Sequence, residues 1–434
     1  LYTESSDSFV ASAAASIATG WSEPVPGREF HPLKSSAFHG ALSQQLISRN
    51  ADLQKLRNEG FDMQVKNAYL VMRGVPYVNS RREVVRGTLV SELSLADNVT
   101  IKPATHVIYF AGDYPCNVDG SEIGKIRHQS QVKQLDRDLT VHHSFSSKPD
   151  SGYQDHYEKM VTYAAILSGP AHEIDPTARA QTFPLIEPED EGCVFNYCDT
   201  ASSRAEITAV TRKLDLGKLA IVGVGGTGSY VLDFTAKTPV KEIHIFDGDK
   251  FLQHNTFRSP GAPSGDELRQ VPSKVAYFKA VYSKMHRGII PHEFFIDASN
   301  VGYLREMDFV FLCMDKGEAK KLIVAKLEEW GIPFIDVGMG IDLTDEALGG
   351  ILRVTTSTPQ KREHVREKNR IPFSDGDGND EYSRNIQIAD LNALNAALAV
   401  IKWKKLFGFY RDLEHEHFST YTIDGNTLVN EDRP

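Results

Sequence analysis

The chain is poor in cysteine, has no basic excess and lacks long apolar runs. Its four cysteines, Cys116, Cys193, Cys198 and Cys313, are too few and too scattered over 434 residues for a disulfide framework. The nearest pair is spaced CxxxxC and no CxxC occurs, which removes paired-CxxC structural zinc and points to a reducing interior. Acidic residues outnumber basic ones, 58 to 48, for a formal net charge of −10. That balance argues against a nucleic-acid partner, which requires a basic surface. No run approaches the roughly 18 apolar residues of a membrane span, so the sequence reads as soluble and cytoplasmic, with no membrane partner. Residues 1–25 are small and polar without a basic start, which fits a signal peptide poorly, although a chain opening on Leu1 leaves room for a trimmed leader.

What is present is a 41% hydrophobic content, enough for two or three cores. Residues 1–27 read as a flexible N-terminal segment. Residues 28–200 mix helical patterns (Ala37 to Glu59; HYEKMVTYAAILSGPAHEID, stopped by its Gly-Pro) with extended ones (VKNAYLVMRGVPYVN, THVIYFAGDYP), the pattern of an α+β domain. From 201 to 434, apolar strands alternate with helices of ten to fifteen residues, as in LAIVGVGG, KEIHIFDGD, SKVAYFKAVYSKM, HEFFID, DFVFLCMD, EAKKLIVAKLEEW and PFIDVG. This alternation predicts an α/β, Rossmann-like, mostly parallel sheet covered on both faces. Residues 338–384 break the pattern and read as an exposed excursion, and the helix IADLNALNAALAVIKWKKL closes the domain.

Within LAIVGVGGTGSYVLDF, Gly223, Gly225, Gly226 and Gly228 allow a tight turn and the approach of backbone to a phosphate at a helix start. Alone, the motif is also compatible with a turn that binds nothing. A dinucleotide site would need one acid about 20 residues on, and Asp247 or Asp249 would serve. Here, however, those acids are followed by Asn255, Arg258 and Lys274, with Asp315 after a later strand. Arg258 and Lys274 suit a triphosphate and Asp315 suits a divalent metal between phosphates.

At these residues the chain resembles the ThiF, MoeB and ubiquitin-activating E1 superfamily of adenylating enzymes. The resemblance runs over roughly residues 200–410 and rests on GxGGxG, on DGDKFLQHNTFR, on PSK ending at Lys274 and on CMDKGEAK. It implies Asp249 as the ribose-binding acid, with Asp247 beside it, and Asn255, Arg258 and Lys274 as triphosphate ligands. It further implies Asp315 as the Mg2+ ligand, Lys320 where the family usually has arginine, and Arg204, with Arg212 close by, as the arginine that reaches a partner subunit. The implied reaction is ATP-dependent adenylation of the C-terminal carboxylate of a ubiquitin-like protein ending in glycine, by a homodimer, with an E2-like carrier downstream. Where the family usually places an acceptor cysteine, between 338 and 384, this chain has none. Three routes stay open: adenylation only, an acceptor cysteine from the N-terminal domain (Cys116 in a turn-like segment, Cys193 or Cys198), or an oxygen or nitrogen acceptor such as Ser357 or Ser374; Cys313 reads as core. His142, His143, His156 and His244 read as structural. Two other readings stand beside the enzyme: an inactive scaffold of the same fold, and a nicotinamide-dependent oxidoreductase.

Overall fold

In the segment VKNAYLVMRGVPYVN the alternating apolar residues form two antiparallel strands, and this hairpin begins the first of two sheets. In the computed structural model, which describes residues 43, 46–188, 192–205, 207–373 and 386–433, the N-terminal sheet has the order β1-β2-β3-β6-β8-β7. Its strands are β1 (Asp62–Lys66), β2 (Tyr69–Val78), β3 (Val84–Glu92), β6 (Val107–Ala111), β7 (Arg127–Asp136) and β8 (Leu139–Ser146). The two-residue strands β4 (Leu95–Ala96) and β5 (Val99–Thr100) pair separately. Helices α1 (Ala51–Asn58) and α2 (His156–Ile174) supply Leu53, Leu56, Met160, Tyr163 and Leu167 to a core shared with Leu70, Met72, Leu89, Ile108 and Phe110. The expected helix from Ala37 to Glu59 is described only in its later part; residues 1–42 lie outside the described residues, and with them the 1–27 segment.

Helix α2 starts where Asp155 accepts the N–H of Glu158 at 2.7 Å, a side-chain N-cap. It does not stop at Gly169-Pro170 but runs on to Ile174. Proline removes one backbone donor, and the burial of Leu167 and Ala171 on either side of it holds the last turn in place.

The C-terminal sheet has the order β11-β10-β9-β12-β13-β14-β15-β16. Strands β9 (Lys218–Val222), β10 (Glu242–Phe246), β11 (Ile289–His292), β12 (Phe309–Leu312) and β13 (Phe334–Thr344) are parallel. Four of the five residues of β9 are buried, as a central parallel strand covered on both faces requires. Helices α3 (Gly226–Thr235), α4 (Lys274–Tyr282) and α6 (Ala389–Leu406) pack on one face through Val231, Phe278 and Trp403. Helix α5 (Gly317–Trp330) covers the other through Ile323, Val324 and Leu327.

Three details depart from the sequence reading. The strand expected at HEFFID lies earlier, at Ile289–His292, because that segment aligns with Ile243–Phe246 of β10. Between it and β12 only a short turn of helix, Val301–Leu304, is formed. The region from Gly338 opens not as a loop but as the continuation of β13 into an antiparallel pairing with β14 (Ala347–Ser357), with β15 (Phe418–Thr422) and β16 (Thr427–Glu431) beyond. Residues 374–385, and with them Ser374, lie outside the described residues.

Candidate nucleotide site

The chain runs from β9 to β10 and β11 on one side and returns to β12 and β13 on the other. The order therefore reverses between β9 and β12, and the crevice outside the carboxyl ends of strands at such a reversal is where open α/β sheets bind ligands. The glycine loop follows β9 and residues 313–316 follow β12, so both border that crevice. They touch: Gly223 has φ +88, and a Cβ there would come within 2.7 Å of the Cys313 carbonyl oxygen. At Gly228 a Cβ would collide with the Gly223 carbonyl, so the helix starts as close to the strand as its backbone permits. At Gly225, the residue preceding α3, a Cβ would have nothing within 4 Å.

Asp247, at the end of β10, is buried and organises the loop. One carboxylate oxygen accepts the Val224 N–H at 3.0 Å and the other accepts the Asp249 N–H at 2.9 Å. The Lys274 ammonium lies 3.5 Å from Asp247 and 2.7 Å from Asp249. Lys274 is itself buried, while half of the Asp249 side chain is exposed. A lysine with two carboxylates gains charge-assisted bonds that offset its desolvation. Asp247, Asp249 and Lys274, from two segments of sequence, thus form one cluster on the glycine loop.

Asn255 is buried, and its side-chain oxygen accepts the Leu252 N–H at 2.8 Å, capping the short helix Gln253–Thr256. Arg258 follows that helix, and its Nε is buried with no hydrogen-bond partner among the described residues. Such a donor is costly unless an acceptor meets it. Asp315 is exposed at the end of the β12 strand. Lys320 is buried and ion-paired with the fully buried Asp336 at 2.8 Å, which is also 2.7 Å from Arg353. Arg204 is exposed and is not among these residues. It lines a cavity of about 510 Å³ with Arg57, Gln64 and Cys198.

The remaining residues singled out from the sequence also have clear places. Cys116 is buried rather than on an open turn, because it bridges Val78 and Glu122; burial pushes its thiol above the ordinary range, helped by Asp119. Burial raises the Cys313 thiol further, with Asp336 nearby adding to the effect. Ser357 is buried at the end of β14. His142 accepts the Gly112 N–H at 3.1 Å, His156 accepts the Ser94 N–H at 3.2 Å, and His143 stacks on Phe145. Among the described residues no group of three His, Cys, Asp or Glu side chains is placed to hold a metal, and no helix is long and apolar enough to cross a membrane.

Sequence reasoning missed Asn392. It is fully buried in α6, accepts from the Thr227 hydroxyl at 2.9 Å and donates to the Arg258 carbonyl at 3.2 Å. It ties the first turn of α3 to the loop that carries Arg258. The available signal was Asn392 and Asn395 three apart on an otherwise apolar helix face, since buried amides must be bonded.

A parallel sheet with a glycine loop, an acid-lysine cluster and an acid after the next strand at its switch point has the architecture of the α/β domains that bind nucleotides. Residues 200–367 match the model of the ThiF family, and residues 51–200 match Domain of unknown function (DUF6791). The part of the chain that carries the glycine loop is thus similar to the ThiF family, and it follows a separate N-terminal region with a match of its own. Among solved structures it is similar to E. coli MccB with succinimide: 18% identity, TM-score 0.41, over 54% of this chain and 72% of that one. It is also similar to selenomethionine PaaA, at 18% identity and TM-score 0.39, over 51% of this chain and 66% of that one. A third similarity is to the microcin C7 biosynthetic enzyme MccB in complex with N-formylated MccA, at 20% identity and TM-score 0.41, over 51% and 66%. No curated protein matches the chain.

Proposed function

We propose that the protein uses ATP to adenylate the C-terminal carboxylate of a ubiquitin-like protein ending in glycine. The observation that carries this reading is the Asp247 carboxylate, which holds the glycine loop through Val224 and lies 3.5 Å from the Lys274 ammonium. A phosphate-binding loop and a cation are thereby built as one rigid unit. A dehydrogenase loop has no use for that cation, and an inactive scaffold has no need to hold it buried between two carboxylates at the glycine loop.

In this reading the ribose hydroxyls bond to Asp249, while the glycine loop, Lys274 and Arg258 take the phosphates, with Asn255 fixing the loop between them. Lys320, already paired with Asp336, steadies the start of α5 behind the phosphates. A carboxylate oxygen of the substrate attacks the α-phosphorus, one O–P bond forms, and the bond to pyrophosphate breaks with its electron pair leaving on the pyrophosphate oxygen. The nucleophile is ionised at neutral pH, so no general base is needed, and cations facing the developing charge lower the barrier. Mg2+ fits a site of this kind, because it takes one or two carboxylates and completes its shell with water and substrate phosphates. Asp315, an exposed oxygen donor on the crevice, would hold it, and the ion would supply charge neutralisation between the phosphates. A homodimer accompanies the reading, with Arg212, exposed ahead of β9, as the arginine offered to a partner subunit, since Arg204 lines a cavity in its own chain.

ATP-pyrophosphate exchange with candidate ubiquitin-like proteins tests the proposal. Exchange should require the terminal glycine and vanish in Asp315→Ala. A folded protein that exchanges with no partner would favour the scaffold reading, and turnover of NAD in place of ATP would favour the oxidoreductase.

A further inference from the structure

The Thr227 hydroxyl, in the first turn of α3, is engaged by the protein itself: it donates to Asn392 Oδ1 at 2.9 Å. Asn392 lies in the first turn of α6 and has no exposed surface. Its Nδ2 donates to the Arg258 carbonyl at 3.2 Å. A carbonyl only accepts, so the amide nitrogen must face Arg258 and the amide oxygen must face Thr227, whose hydroxyl then donates. Both bonds belong to one planar group on a short stem. The separation of the two segments it joins is therefore set by covalent geometry.

Gly226 is matched to the same amide. A Cβ there would collide with Nδ2, Cγ and Oδ1 of Asn392, whereas a Cβ at Gly225 would have nothing within 4 Å. The two adjacent glycines thus serve different partners: Gly226 makes room for Asn392, and Gly225 leaves open space.

The turn that carries Arg258 is closed by its own bonds. The Arg258 N–H and the Ser259 hydroxyl both donate to the Asn255 carbonyl, at 3.2 and 2.7 Å. Those bonds shape the turn but do not place it against the glycine loop. Asn392 does so, from 134 residues away. Three residues further along α6, Asn395 donates to the Gly338 carbonyl at 3.0 Å, which anchors the helix to β13 and gives Asn392 a fixed support. Arg258 Nε is buried with no hydrogen-bond partner among the described residues, and an incoming phosphate oxygen would satisfy it.

We propose that Asn392 is a positioning residue for phosphate recognition: it sets the distance between the glycine loop and Arg258 so that both meet one phosphate chain. The proposal rests on the adenylation reading for the nucleotide and goes beyond it in giving a role to a side chain that touches no ligand. That role needs a donor and an acceptor at the end of one methylene. Aspartate would set a carboxylate oxygen against the Arg258 carbonyl, leucine would leave both neighbours unbonded, and the extra methylene of glutamine would carry the amide past Gly226.

The test measures ATP and AMP affinities of the full chain by calorimetry, in the wild type, Asn392→Leu, Arg258→Gln and the double variant. AMP lacks the β- and γ-phosphates, so the ratio of the two affinities reports contacts to those phosphates, and a general loosening of the fold that weakens both does not move it. Each single variant should lower the preference for ATP by at least about tenfold. The double variant should lower it no further than Arg258→Gln alone, because the asparagine acts through the arginine. If Asn392→Leu does not fold, Thr227→Val takes its place in the same cycle, since it removes one of the two bonds to the amide and keeps the side-chain shape. An unchanged preference in the folded variant overturns the proposal, as do losses that add in the double variant. Pyrophosphate exchange judges the adenylation reading separately. Exchange together with additive losses sinks the role of Asn392 and leaves adenylation standing. Coupled losses in a chain that binds ATP but does not exchange support that role and sink adenylation. A chain that binds neither nucleotide overturns both.

Discussion

Lys274 and Asp249 are bonded at 2.7 Å, and the same ammonium lies 3.5 Å from Asp247. The lysine is thus held against the glycine loop before any nucleotide arrives, with its charge already desolvated. A preorganised cation avoids the cost of ordering a long side chain during the reaction. Lys274→Met should leave Asp247 buried without its counter-charge, lowering stability by about 1–3 kcal/mol, and should reduce pyrophosphate exchange by at least about a hundredfold. Urea denaturation and exchange kinetics on the same preparation measure both.

The glycine loop separates folding from binding. Gly228→Ala drives a methyl into the Gly223 carbonyl and should destabilise the domain by about 3 kcal/mol or more. Gly225→Ala places its methyl where no protein atom lies within 4 Å, and should cost no more than about 2 kcal/mol. If phosphates occupy that position, the folded Gly225→Ala protein should nevertheless lose ATP binding in calorimetry. Unchanged ATP affinity would place the phosphates elsewhere.

Lys320 is tied to Asp336, which has no exposed surface and also meets Arg353. Removing one partner of a buried pair leaves a charge that the remaining one does not fully balance. Lys320→Met should cost about 3 kcal/mol, whereas Lys320→Arg should keep most of the stability. A Lys320→Met protein of unchanged denaturation midpoint that fails only in exchange would show that the lysine serves the nucleotide alone.

His292 gives a pH signature. Burial, with His244 3.0 Å away, lowers it from its ordinary 6.5 to about 4, so the folded state favours the neutral ring. The contribution is fully present above pH 6.5 and is lost as the pH falls from 6.5 through 4, where the unfolded chain binds a proton that the folded chain resists. Thermal midpoints should decline over that window, and His292→Phe, which keeps the stacking on Phe246 at 4.2 Å, should flatten the decline.

The sequence by itself determined that residues beyond 200 form an α/β domain, because strand and helix periods alternate there from Leu219 to Gly338. It also named the candidates for the chemistry of the site. Glycines at fixed spacing, acids after the next strand and a lysine at a helix start are local patterns that keep their meaning in any tertiary setting. The tertiary structure alone decided which of those residues stay exposed at the crevice and which are buried and bonded into the fold. Asp247, Asn255 and Lys320 read alike as polar candidates, yet each is buried and bonded to protein groups, since burial depends on segments far away in the chain. The antiparallel strands from Gly338 onward were hidden for the same reason: they pair in register with residues up to 431, and long-range pairing leaves no local period. Asn392 on Thr227 and Arg258, and Arg57 beside Arg204, likewise come together only when the chain folds, because each contact joins segments more than a hundred residues apart.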